Sequence, residues 1–168
     1  VISGSSLKCL IIGPKGTRLP VNDGAVTELN FEGQGFGPAE VTLVAAATST
    51  LAAMKAITLD GQPISGSTPN YGDWQYGVDK MDADMSGFNL LCEALASSQI
   101  EVISMHSCYF GPQALTSLTK AISSMAAINS LTVDSTGDTE NIWGGWNNGG
   151  PKTYTLTASE DKIELSQK

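Results

Sequence analysis

Charge is the scarcest commodity in this chain. Charged residues make up 15% of it, against about 25% in an average soluble domain. Basic charge is scarcer still: nine Lys and Arg stand against seventeen Asp and Glu, for a net charge of −8. Phosphate binding needs clustered Lys and Arg, so nucleic acid is excluded as a partner and basic proteins or cations are favoured. Three cysteines, Cys9, Cys92 and Cys108, are too few for a disulfide framework. No apolar run is long enough to span a bilayer, and neither a signal peptide nor an Asn-x-Ser/Thr sequon is present. The chain opens on Val1 rather than Met, which we read as a processed or trimmed, soluble product of open localisation. One histidine, His106, and no nucleophile motif leave little with which to build an enzyme, so no activity is expected. The stretch Gly13-Pro14-Lys15-Gly16-Thr17 lacks the glycine spacing of a phosphate loop.

What the chain does have is a repeat. Val26, Leu29, Phe31, Gln34 and Phe36 form one apolar pattern, and Met54, Ile57, Leu59, Gln62 and Ile64 form it again. Ile100, Ile103, Met105, Cys108 and Phe110 make a third copy, and Ile128, Leu131 and Val133 open a fourth. The starts fix the period: 54 − 26 = 28, 128 − 100 = 28, and 100 − 54 = 46, one period plus an insertion of 18. Phe36-Gly37-Pro38 and Phe110-Gly111-Pro112 are one tripeptide at one place in two copies. After the second, Leu115, Leu118, Ala121, Ile122 and Met125 fall at helical steps. Each copy therefore reads as a short strand, a tight turn and a helix, which buries its apolar faces only against neighbours of the same kind.

On these residues, from about 7 to 136, the chain resembles the ribonuclease-inhibitor class of leucine-rich repeats. Leu91-Cys92-Glu93-Ala94-Leu95 followed by Ile100-Glu101-Val102-Ile103 is similar to the helix-to-strand passage of that class, whose strands end in Asn or Cys. Gln34, Gln62 and Thr136 depart from that usage. The resemblance implies a short curved α/β solenoid, with six or seven mostly parallel strands on the concave side, about three helices on the convex side, and irregular end caps. A single domain is expected. Residues 1–25 form an N-terminal cap of a strand and a loop, and 26–136 hold the repeats with an insertion at 65–86. The segment 137–168 forms a C-terminal loop and cap strands around Tyr154, Leu156, Ile163 and Leu165.

Such a scaffold serves many partners, so candidate sites come from its departures. The helix expected over Glu40 to Ala53 carries Glu40 as its one charge, which suits a convex face covered by another protein. The insertion at 65–86 holds Tyr71, Trp74 and Tyr76, and the loop at 138–150 holds Trp143 and Trp146. Both leave the carboxyl end of a strand, so they would form an aromatic rim above the strand at Ile100 and anchor a partner. On the concave face, Glu28, Asn30, Glu32, Thr58, Asp60, Ser104, His106 and Asp134 would line up from strand to strand as a partner-binding row. Three carboxylates and an imidazole there are also the raw material for a metal or for hydrolysis at Asp60, His106 and Asp134. Asp82, Asp84, Ser86 and Glu93, with Gly87, match the spacing of a calcium loop. The expected function is a non-catalytic protein-binding or structural subunit of a larger assembly. The alternative is a small-ligand module for carbohydrate or calcium.

Overall fold

In the computed structural model, residues 6–72, 75–135 and 152–157 are described. Five strands form the main sheet, in the order β3 (Glu28–Asn30), β4 (Ala56–Thr58), β7 (Val102–Met105), β8 (Ser130–Ser135) and β9 (Lys152–Thr157). The first four are parallel and β9 is antiparallel to β8. The pairing register reproduces the repeat: Leu29 lies opposite Ile57, Ile57 opposite Ile103, and Ile103 opposite Leu131. All four are buried, as are Phe31, Leu59, Met105 and Val133 two residues on. The alternate positions face away from this core and are exposed or half-buried, which is the period-two pattern of a sheet covered on one face. The strands start two residues later than the apolar patterns do, because Met54 and Ile100 are core residues of the approach.

Helices α1 (Pro38–Thr48), α2 (Ser86–Ala96) and α3 (Pro112–Ile122) pack side by side in chain order. Pro38 and Pro112 each occupy the first helical turn after an extended glycine, where a missing N–H costs nothing. Helix α1 begins before Glu40, since Pro38 starts it. It stops at Thr48, not Ala53, because Thr48, Ser49 and Thr50 turn their hydroxyls back onto the carbonyls of Val44, Ala45 and Ala47, a local competitor of helix propagation. Helices α1 and α2 touch at Gly87, where a methyl group would overlap the Pro38 carbonyl.

Two hairpins lie outside the main sheet. The expected N-terminal strand and loop is an antiparallel pair, β1 (Cys9–Ile12) with β2 (Thr17–Pro20). Gly13 and Gly16, both left-handed, close its turn. Leu19 and Val21 enter the core and the rest caps the first repeat. The insertion forms β5 (Thr68–Gly72) with β6 (Gln75–Lys80). The strands are thus five in one sheet and two in each hairpin, in place of six or seven in one row.

The position that ends each strand pattern links its repeat to the preceding one. Thr17 donates its hydroxyl to Gln34 Oε1 at 2.6 Å, the Phe36 N–H donates to Gln62 Oε1 at 2.7 Å, and Cys108 Sγ–H points to the Leu59 carbonyl at 3.2 Å. Two glutamines and a cysteine therefore do one job.

Candidate functional site

The sheet face away from the helices carries exposed and half-buried side chains. Its rows run across the strands in register. Glu28, Ala56, Val102 and Ser130 form one, and Asn30, Thr58, Ser104 and Thr132 form the next. The ladder continues past the strands, because Gly33 N–H donates to the Asp60 carbonyl and Gly61 N–H to the His106 carbonyl, both at 2.8 Å. Glu32, Asp60 and His106 therefore fall side by side in a third row. Asp134 occupies the corresponding position on β8, opposite Thr153.

Within that row the groups differ in their freedom. Asp60 is half-buried and turned toward β7. Ser104 Oγ lies 2.8 and 2.9 Å from its two oxygens, and the His106 backbone N–H donates to Oδ1 at 2.7 Å. The carboxylate thus ties β4 to β7, in a bond spanning 44 residues of sequence. The imidazole of His106 is exposed, and Ser107 Oγ lies 3.0 Å from its Nδ1. Asp60 therefore does not orient the imidazole as an acid–histidine pair requires. Glu28 and Glu32 are exposed. Among the described residues no group of three or more His, Cys, Asp or Glu side chains is placed to hold a metal ion.

The calcium loop is not formed. Asp82 is 7% exposed, and its carboxylate is taken up by the start of α3. Gly111 N–H donates to Oδ1 at 2.9 Å, and Gln113 and Ala114 N–H donate to Oδ2 at 2.9 and 3.0 Å. These are orphan donors of a helix N-terminus, which favours a negative group. Asp84 forms a local turn with Ser86, whose hydroxyl at 2.6 Å and amide at 3.0 Å hold the carboxyl below its ordinary range. Glu93 is exposed on α2, beside a groove toward α1. The four residues do not converge.

Asp82 is a residue whose role the repeat pattern conceals. In the first copy, Phe36-Gly37-Pro38-Ala39-Glu40, the helix caps itself: Gly37 N–H donates to Glu40 Oε2 at 2.9 Å. In the third, Phe110-Gly111-Pro112-Gln113-Ala114, the acid is replaced by Ala114, and Asp82 of the preceding insertion supplies the carboxylate. The missing acid in the third copy was the available signal.

The aromatic rim falls partly within the described chain. Tyr71 and Tyr76 are register partners in the β5–β6 hairpin. Trp74, Trp143 and Trp146 lie outside the described residues, as do Ile163 and Leu165. On the helical side each helix carries one charge, Glu40, Glu93 and Lys120. A groove of about 360 Å³ runs between α1 and α2, lined by Thr42, Ala46, Leu90 and Ala94 among others. Leu90 in its lining is exposed, as is Leu43 elsewhere on α1. No helix among the described residues is long and apolar enough to cross a membrane. Compared with protein families, with curated proteins and with solved structures, the chain matches none.

Proposed function

We propose that the chain is a non-catalytic protein-binding or structural subunit, built as a short leucine-rich-repeat solenoid that docks through its open sheet face. The observation that supports this is the register. Four parallel strands, related by steps of 28, 46 and 28 residues, hold the polar row Asn30, Thr58, Ser104 and Thr132 beside the mixed row Glu28, Ala56, Val102 and Ser130 on the face away from the helices. Such rows offer an extended partner evenly spaced contacts about 4.8 Å apart. Hydrolysis finds no support in Asp60, which is spent on Ser104 and a backbone amide. Calcium binding finds none in Asp82, which is spent on α3.

The test is the mass of the chain isolated from its source without denaturant, combined with hydrogen exchange. Recovery in an assembly, with β3, β4 and β7 protected beyond the level of the isolated chain, is the expected result. Recovery as a free monomer with unchanged protection would overturn the reading.

A further inference from the structure

The two outer edges of the cap hairpin are unlike. Val21 N–H donates to the Lys8 carbonyl at 3.0 Å, which makes residues 8 and 21 a hydrogen-bonded pair. Bonded and non-bonded pairs alternate along an antiparallel ladder. Leu10 with Leu19 and Ile12 with Thr17 are therefore bonded pairs, whereas Cys9 with Pro20 and Ile11 with Arg18 are not. The backbone polar groups of these last four residues point away from the hairpin. On β2 that edge is blunted, because Pro20 has no N–H to offer and Arg18 sets a charge beside it, both common devices against strand pairing. On β1 neither device is present. Cys9 and Ile11 turn N–H and C=O outward, and neither amide bonds to another element among the described residues. The side chains match this opening. Cys9, Ile11, Arg18 and Pro20 share the outer face of the hairpin, while Ile12 and Leu19 are buried on the inner one. Ile11 is 65% exposed, more than any other large apolar side chain among the described residues, and Leu7 is 41% exposed.

An apolar strand with outward backbone groups is a template for an extended segment, whose main-chain bonds give affinity and whose alternate side chains give specificity. Charge selects the occupant. Residues 1–22 hold three of the nine basic residues, Lys8, Lys15 and Arg18, and none of the seventeen acids. Lys8 and Lys15 donate to the carbonyls of Asn22 and Gly33 at 2.7 and 2.6 Å, which leaves their charges uncompensated. The one ion pair among the described residues is elsewhere, between Lys55 and Glu101. Two such hairpins edge to edge would bring like charges together, so charge opposes a second copy here and favours an acidic partner. We infer that the free edge of β1 takes a strand from another protein, in which apolar residues beside Cys9 and Ile11 alternate with acidic ones on the Lys8 side. This surface lies outside the five-stranded sheet, so the inference goes beyond the sheet-face reading and does not rest on it.

The experiment uses the whole chain, with a ten-residue peptide of alternating Val and Glu as probe and its Val-Lys counterpart as control. Hydrogen exchange is the deciding readout. The amides of Leu10 and Ile12 are expected to be protected with or without peptide, and those of Cys9 and Ile11 only with it. Ile11→Pro removes an outward N–H at the kind of edge position that Pro20 already occupies, so it keeps the bonds between β1 and β2. It is expected to weaken the Val-Glu peptide about tenfold or more. Ile11→Ser keeps the N–H, loses the apolar contact and is expected to weaken binding severalfold, a measurement that stands even if the proline variant unfolds. Lys8→Gln is expected to weaken binding and to flatten its salt dependence. No binding of the Val-Glu peptide, equal binding of the Val-Lys peptide, or protection that leaves Cys9 and Ile11 unchanged would overturn the inference. Sedimentation of the chain alone tests the other occupant. A monomer at high concentration supports the assignment, and a dimer that Ile11→Pro dissociates would overturn it in favour of a second copy. Each of these outcomes leaves the sheet-face reading to its own test at β3, β4 and β7.

Discussion

Replacing Asp82 with Ala tests how the insertion and the third helix are joined. The carboxylate accepts three backbone N–H groups at 2.9 to 3.0 Å from a site 7% exposed. After truncation the amide of exposed Gln113 can turn to water, whereas Gly111 and Ala114 are buried and stay unsatisfied. Each buried orphan costs about 1–3 kcal/mol. Against this, burial of a charge is no longer required, although the left-handed backbone at Asp82, φ 50°, suits Asp better than Ala. The net expectation is a loss of about 3 kcal/mol, above the usual range of about 0.5–2 kcal/mol for an N-cap because two of the donors are buried. Asp82→Asn tolerates the same backbone but keeps one acceptor oxygen for three donors, and is expected to lose about half as much. Urea unfolding measures the loss, and native-state hydrogen exchange locates it at the Gly111 and Ala114 amides. A loss below about 1 kcal/mol, with those two amides as protected as before, would refute the capping role.

Three further expectations follow from named contacts. Millimolar calcium is expected to leave the melting temperature of the wild-type chain unchanged, since Asp82 is committed to α3; a calcium-dependent rise would reinstate the loop over 82–93. Gly87→Ala places a methyl group against the Pro38 carbonyl and is expected to cost about 1–3 kcal/mol by overpacking. Denaturant unfolding checks this, and a neutral result would mean that α1 and α2 are farther apart than described. Burial, with a smaller effect from neighbouring Glu93, pushes the Cys92 thiol up from 9.0 to about 12. The unfolded chain therefore loses this proton first as pH rises. The contribution of Cys92 is complete below pH 9 and falls by about 1.4 kcal/mol per pH unit between 9 and 12. Comparing the slope of stability with pH in Cys92→Ala and in wild type isolates that contribution, and identical slopes would contradict it.

The sequence by itself determined the period and the register. Leu29, Ile57, Ile103 and Leu131 are register partners because burial alternates along a strand whatever its neighbours, so the apolar spacing is written locally. The Gly-Pro start of α3 was legible too, since a proline in the first turn needs no partner, whereas α1, expected from Glu40, starts at Pro38. Only the tertiary structure decided what each polar group touches. Asp82 reads as a calcium ligand until α3 is brought against the insertion, 29 to 32 residues away in sequence. Asp60 reads as a free carboxylate until β7 arrives with Ser104 and the His106 amide. Thr17–Pro20 becomes a strand through pairing with Cys9–Ile12, which no repeat predicts. The left-handed Ser107 and Tyr109 are invisible to residue preference, which argues against them. They flank Cys108, whose Sγ–H reaches the Leu59 carbonyl of the preceding repeat. Short-range periodicity settles which face of an element is buried, whereas a hydrogen bond between distant elements exists only once packing has placed donor and acceptor within about 3 Å.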